Sequence, residues 1–150
     1  MDTALRILLL DDDTFMLELL TEMLDGLGYT NVRAESDARA ALAALPEFAP
    51  DLLICDLSMP EMDGIEYLRA AAEANFEGSV VLLSGMDSGI LRAAEMLALA
   101  QGLTILGACS KPVPRVALAD LLERAVRQRQ NRDENGAGMR SRPAAHGNSK

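Results

Sequence analysis

Four polar positions of the chain carry side chains suited to phosphoryl transfer, and each follows a short apolar segment. They are the acid triplet Asp11–Asp13, Asp56, Ser84 and Lys111. Clustered carboxylates repel one another unless a cation lies among them, and Mg²⁺ prefers carboxylate and phosphate oxygens together with water. A carboxylate such as Asp56 can attack phosphorus, while an ammonium group and a hydroxyl group stabilise charge on the transferred oxygens. The set therefore predicts an acyl phosphate formed beside Mg²⁺.

Two types of apolar segment alternate along the chain and indicate the elements that must position these groups. Near-continuous apolar runs, and one weaker and more polar run, predict five strands at Ile7–Leu10, Asn31–Glu35, Asp51–Cys55, Val80–Leu83 and Leu103–Leu106. Segments with a 3.6-residue apolar period follow each of them. Five strand–helix units predict an α/β fold with a parallel sheet and right-handed crossovers. Because ligands bind beyond the carboxyl ends of such strands, the four polar positions should meet there.

Turn and capping residues predict where the helices begin and end. The first helix should stop at Gly26–Gly28, and Asp37 can cap the second, which Pro46 should break. The third helix should follow Gly64, and Gly102 should close the fourth.

The apolar content and its distribution predict one domain over residues 1–129. Apolar residues make up 49% of the chain, which excludes wholesale disorder, and 150 residues hold one ordinary core. After Arg129 the apolar period stops, and the remainder is Gly, Pro, Ser, Asn and charged residues. We expect residues 130–150 to be a disordered tail or the start of a linker.

Charge and cysteine usage limit the partners and the compartment. Residues 1–123 carry seven Lys/Arg and 21 Asp/Glu, which argues against direct nucleic-acid binding by the domain. The basic segment 124–150 lacks aromatic residues and an apolar face, so we interpret it as a solvated end. The N-terminal apolar run is too short for a membrane span and lacks the layout of a signal peptide. Cys55 and Cys109 lie in or beside apolar runs, which predicts buried, reduced thiols rather than a disulfide. Reduced thiols are typical of a cytoplasmic protein.

The segments around the four polar positions resemble a known family. LLLDDD, LLICDLSMPEMDG, VVLLSG and SKP are similar, in order and separation, to the four signatures of bacterial response-regulator receiver domains, over about residues 5–128. The resemblance implies a flavodoxin-like (βα)₅ three-layer sandwich whose parallel sheet has the order 2-1-3-4-5. It also implies a phosphorylation-dependent signalling module of a two-component system. Such a module takes its phosphoryl group from a sensor histidine kinase or a histidine phosphotransfer protein, and its only enzymatic activity is self-catalysed phosphoryl transfer and autodephosphorylation.

The resemblance assigns roles to individual residues by matching position. Asp56 would be the phosphoacceptor and a ligand of Mg²⁺, for which Mn²⁺ could substitute. Asp12 would bind the metal directly, Asp11 through water, and Ser58 through its backbone carbonyl. Ser84 would be the switch hydroxyl group and Lys111 the lysine that binds the phosphoryl group. The peptide bond between Lys111 and Pro112 would be cis.

Signal readout departs from the family pattern. Ala108 stands three residues before Lys111, where the family usually has an aromatic residue or His whose rotation reports phosphorylation. We therefore expect a backbone-driven switch of the fourth helix. The segment 91–111 has a weaker resemblance to receivers that precede cyclic-di-GMP phosphodiesterase modules, and the output domain or partner stays open. The family generally uses the face of helix 4, strand 5 and helix 5 for partners, which makes a homodimer through this face one of the alternatives.

Two other functions use part of the same residue set. A haloacid-dehalogenase-like Mg²⁺-dependent phosphohydrolase also has a strand-end Asp nucleophile, and Asp11 and Asp13 alternate as its motif requires. That motif needs Thr at the fourth place after the nucleophile, which here is Phe15, and Thr14 comes one residue early. An FMN-binding domain would need a Ser/Thr-rich phosphate loop after the first strand, where the acid triplet would repel phosphate.

Overall fold

Five strands and five helices alternate along the chain in the computed structural model, which describes residues 4–57, 64–85 and 88–141. The strands are β1 Ile7–Leu10, β2 Val32–Glu35, β3 Leu52–Asp56, β4 Ser79–Ser84 and β5 Thr104–Ser110. The helices are α1 Thr14–Gly26, α2 Ala38–Phe48, α3 Gly64–Glu73, α4 Ser88–Ala100 and α5 Arg115–Ser141. All strand pairs are parallel, in the order β2-β1-β3-β4-β5. The predicted fold class and sheet order are confirmed.

The sheet is the middle layer of three, because helices cover both of its faces. Strands β1, β3 and β4 are buried along their whole length. Alternate residues of a strand point to opposite faces, so Ile54 packs with α1 and α5 while Leu53 packs with α2, α3 and α4. The same alternation places Leu83 on the face covered by α1 and α5 and Leu82 on the face covered by α2, α3 and α4. This two-sided burial explains the uninterrupted apolar runs of the central strands.

Strand β5 is longer than its apolar pattern predicts. The predicted strand ends at Leu106, whereas the observed strand continues to Ser110. The pairing of β4 with β5 shifts at Leu106, which is the additional residue of a β-bulge between Ile105 and Gly107. The residues after the bulge are small, and a Cβ atom on Gly107 would lie 2.8 Å from a methyl carbon of Leu121 on α5. Close packing of α5 therefore requires glycine at position 107, in a part of the strand that lacks the usual apolar signal.

Most predicted helix ends are confirmed, with one exception. Asp37 caps α2 by accepting a hydrogen bond from a backbone N–H of its first turn, as expected. The predicted break at Pro46 is wrong, since α2 continues to Phe48. Pro46 lies in the last turn, so only two further residues of the helix follow the hydrogen bond that its missing N–H leaves out. Ala49, with φ 51°, then closes the helix by donating its N–H to the carbonyl of Leu45.

Helix α5 continues beyond residue 129, the end predicted for the domain. Residues 130–141, for which the composition predicted a disordered tail or the start of a linker, are helical, and side chains are described through Glu134. Arg129, the last residue of the predicted domain, and Arg132 in the continuation form ion pairs with Asp51, which directly precedes β3. A contact with a residue so distant in sequence has no local signature. Even α5, the longest helix described, is not apolar enough to cross a membrane, and neither is any other helix of the described residues.

Candidate phosphoacceptor site

Three predicted metal-binding carboxylates meet at the carboxyl ends of β1 and β3. Asp11 directly follows β1, and Asp56 is the last residue of β3. The parallel register pairs Leu10 with Cys55, so β1 and β3 end side by side at the same edge of the sheet. One carboxylate oxygen from each of Asp11, Asp12 and Asp56 lies within 4.8 Å of the others. The structure thus brings Asp56 together with two side chains that precede it by 45 and 44 positions in the sequence.

The three carboxylates have different surroundings. Asp11 and Asp56 are buried, with 0% and 1% of their surface exposed, whereas Asp12 is exposed. The backbone N–H of Asp13 donates a 2.9 Å hydrogen bond to Oδ1 of Asp11. The side chain of Asp13 in turn accepts hydrogen bonds from two backbone N–H groups in the first turn of α1, which it caps. Asp13 therefore fixes the chain beside the site, a role that its position just before an apolar helix could have indicated.

Lys111 supplies the positive charge of the site. Its Nζ atom lies 2.9 Å from Oδ2 of Asp11 and 3.1 Å from Oδ1 of Asp56. Burial lowers the pKa of the ammonium group, but hydrogen bonds and attraction to these carboxylates together outweigh burial and raise the pKa above its usual value. Lys111 is therefore charged at neutral pH. The peptide bond between Lys111 and Pro112 is cis, as the resemblance implied.

Ser84 ends β4, the strand between β3 and β5. Its side chain is 6% exposed, and its carbonyl accepts a 2.9 Å hydrogen bond from the backbone N–H of Lys111. The position next to the strand that carries Asp56 agrees with the predicted placement. Ser58, whose backbone carbonyl was predicted to bind the metal, lies outside the described residues.

Comparison with known proteins identifies the family of this site. The family model described as the response regulator receiver domain matches residues 7–123, which is more than half of the chain. The chain belongs to this family. A crystal structure of a response regulator from Colwellia psychrerythraea is 39% identical, with a TM-score of 0.70, and the match covers 81% of this chain and 97% of that chain.

Curated relatives of this receiver domain include proteins of different lengths. The chemotaxis protein CheY of Bacillus subtilis is 32% identical over 83 residues, which cover 55% of this chain and 69% of CheY. The protein-glutamate methylesterase/protein-glutamine glutaminase of Treponema denticola is 36% identical over 83 residues, which cover 55% of this chain and 22% of that protein. The match thus spans about a fifth of the longer relative. The family assignment therefore concerns the receiver domain over residues 7–123.

The donor set of this receiver domain fits a small divalent cation. Three carboxylates and one ammonium group leave a net charge of −2, and two of the carboxylates are shielded from water. Carboxylate oxygens are the ligands that Mg²⁺ prefers, and the exposure of Asp12 leaves a path from solvent for the ion and its waters.

Ala108 lies in the second half of β5, opposite Leu82 of β4. It is half-buried and packs against the core layer formed with α2, α3 and α4. Two residues earlier, the carbonyl of Leu106 accepts a 2.9 Å hydrogen bond from Nη1 of Arg124 on α5. A methyl group thus occupies the predicted position of the aromatic residue, and an arginine holds the neighbouring bulge of the strand.

Proposed function

We propose that this receiver domain accepts a phosphoryl group on Asp56 and changes its protein contacts in response. The observation that carries the proposal is the convergence of Asp11, Asp12 and Lys111 on Asp56 at the carboxyl ends of three strands. The family assignment supports phosphorylation-dependent signalling as the general function. The donor we propose is the phosphohistidine of a sensor histidine kinase or a histidine phosphotransfer protein.

The reaction is a transfer between two side chains. A carboxylate oxygen of Asp56 attacks phosphorus, the P–N bond to the donor imidazole breaks, and the leaving nitrogen takes its proton from solvent. Asp12 and Asp56 would hold Mg²⁺ directly, with Asp11 acting through water and Ser58 through its backbone carbonyl. When bound, the metal neutralises charge that develops on the phosphoryl oxygens. Hydrolysis of the acyl phosphate by water returns the domain to its starting state.

Lys111 and Ser84 are the proposed phosphoryl-binding groups. The ammonium group of Lys111 pairs with Asp56 in the structure, so a phosphoryl oxygen on Asp56 would form within reach of the same charge. Ser84 would donate its hydroxyl hydrogen to another phosphoryl oxygen. Because Ala108 offers no aromatic side chain to rotate, we propose that movement of the backbone after Ser84 carries the signal to α4.

The proposed contact surface is the face formed by α4, β5 and α5. Met96 and Leu99 of α4 are 66% and 65% exposed, whereas Ala98 is buried. Large apolar side chains exposed next to each other on one helix mark a surface suited to a protein partner, such as an output domain or a second copy of the chain. The buried free thiols Cys55 and Cys109 favour a reducing, cytoplasmic setting.

Labelling with acetyl phosphate and Mg²⁺ tests the proposal. We expect up to one phosphoryl group per chain by intact-mass spectrometry, and none on the Asp56→Asn variant. Asp25→Asn is the matched control, because Asp25 is an exposed carboxylate at the end of α1. Labelling of the Asp56→Asn variant would contradict the assignment. Repeated turnover of unrelated phosphoesters without a labelled protein would instead favour a hydrolase.

A further inference from the structure

Strand β3 is preceded by a second buried carboxylate, Asp51, at the end of the sheet opposite Asp56. Asp51 is 7% exposed. Its Oδ2 atom accepts a 2.9 Å hydrogen bond from the backbone N–H of Arg6, and its own N–H donates to the carbonyl of Arg6 at 2.8 Å. These reciprocal bonds hold the carboxylate at the base of β1 and β3.

Three guanidinium groups surround this single carboxylate. Nε of Arg6 lies 3.5 Å from Oδ2, while Nε of Arg129 and Nη2 of Arg132 lie 3.6 Å and 3.8 Å from Oδ1 of Asp51. Arg129 and Arg132 are three residues apart on α5, so they lie on the same face of the helix. Arg6 approaches one oxygen and the two helix arginines approach the other. The carboxylate therefore links the amino ends of β1 and β3 to the part of α5 that carries Arg129 and Arg132.

A cavity beside Asp51 is bounded by residues at the carboxyl ends of two helices. It has a volume of about 350 Å³, and Arg6 and Arg132 line it together with the residues at the ends of α2 and α3. The carboxyl end of a helix carries partial negative charge, because its last carbonyl groups lack partners within the helix. Arg132 therefore lies beside two such helix ends as well as beside the buried carboxylate, and both favour its positive charge.

We infer that Asp51 is a docking site for Arg129 and Arg132, and that this contact fixes the direction in which α5 leaves the receiver domain. The helix is then anchored to the strand that carries the candidate phosphoacceptor at its other end. The contact is independent of phosphoryl chemistry, and it uses residues beyond the family match, which ends at residue 123.

Hydrogen exchange of the full chain with an Asp51→Asn substitution tests this inference. Asn keeps an oxygen that can accept the hydrogen bond from Arg6 but removes the charge that attracts Arg129 and Arg132. We expect amide protection over residues 129–137 to fall about threefold to tenfold, the range for losing two partly exposed ion pairs, while the strands keep theirs. Unchanged protection over 129–137 would overturn the inference.

A second variant separates docking of the helix from the stability of the sheet. Arg129→Gln/Arg132→Gln alters no residue of the sheet, and Arg127→Gln removes an exposed arginine of the same helix as the control. We expect the double variant to reproduce the local loss of protection and the control to behave as the native chain. If the double variant retains native protection, or if Arg127→Gln causes an equal loss, Asp51 does not dock the helix.

Discussion

Lys111 and Asp56 form a 3.1 Å ion pair although their strands are not neighbours in the sheet. Lys111 directly follows β5, Asp56 is the last residue of β3, and β4 lies between these two strands. The lysine side chain reaches past the end of β4 to the buried carboxylate. It also contacts Asp11 at 2.9 Å, so one ammonium group serves two carboxylates whose surface is almost fully covered. This charge balance makes the site sensitive to any change at residue 111.

Replacing Lys111 by Met should lower the free energy of unfolding by about 1–3 kcal/mol at pH 7, because two buried carboxylates lose their cation. Added Mg²⁺ should restore much of the loss, since it neutralises the same carboxylates. Urea unfolding with and without Mg²⁺ measures both effects. Lys111→Arg, which keeps the charge, serves as the control, and a Lys111→Met variant as stable as the native chain would contradict the role of the ammonium group.

The strand-end site could be predicted from sequence because its determinants are local. Uninterrupted apolar runs mark β1, β3 and β4, and a polar residue directly after each run must lie at the same end of a parallel sheet. The continuation of β5 to Ser110 and of α2 past Pro46 lack such a local signal, because small residues and proline are not typical of a strand or a helix. The continuation of α5 depends on Asp51, a partner 78 positions before Arg129, and such contacts appear only once the fold is known.

Mg²⁺ should stabilise the native chain by mass action. At a concentration ten times the dissociation constant, a ligand that binds only the folded state adds about 1.4 kcal/mol. The melting temperature should therefore rise by a few degrees with millimolar Mg²⁺. Asp12→Ala should abolish this rise, whereas Asp25→Ala, at the far end of α1, should preserve it. A full metal response in the Asp12→Ala variant would remove Asp12 from the ligand set.

Tyr67 of α3 predicts a change of stability at alkaline pH. Its hydroxyl group is buried and donates a 3.1 Å hydrogen bond to the carbonyl of Ala41. Burial raises the pKa of the phenol far above its usual value, with smaller contributions from Cys55 and Glu35. A raised pKa in the folded state gives a stabilising contribution that is complete below the unfolded pKa near 10 and declines as the pH rises above it.

Tyr67→Phe should therefore lower the free energy of unfolding by about 1 kcal/mol at pH 7, because only the hydrogen bond is lost at that pH. Above about pH 10 the difference in unfolding free energy between the native chain and the variant should shrink by up to about 1.4 kcal/mol per pH unit. The reason is that Tyr67 ionises in the unfolded native chain, whereas phenylalanine does not. Urea unfolding of both proteins between pH 7 and pH 11 measures this difference. A constant difference across the range would contradict the raised pKa.

Phosphorylation should act on α4 through Ser84 rather than through an aromatic side chain. Ser84 ends β4, its carbonyl bonds to the N–H of Lys111, and residue 108 has only a methyl group. A hydrogen bond from the Ser84 hydroxyl to a phosphoryl oxygen would pull on the backbone that leads into α4. We expect acetyl phosphate to change amide exchange over residues 91–100 about threefold or more, as an altered hydrogen bond of about 1 kcal/mol would.

Ser84→Ala separates this route from the chemistry at Asp56. The variant keeps the acceptor carboxylate, Lys111 and the metal ligands, so we expect it to become labelled while the exchange of α4 stays as in the unphosphorylated chain. Thr21→Ala, an exposed hydroxyl of α1, is the matched control and should retain the native response. Equal exchange of α4, equal melting temperature and equal partner affinity in the labelled and unlabelled native chain would rule out a backbone-driven switch, because a switch requires the two states to differ in free energy.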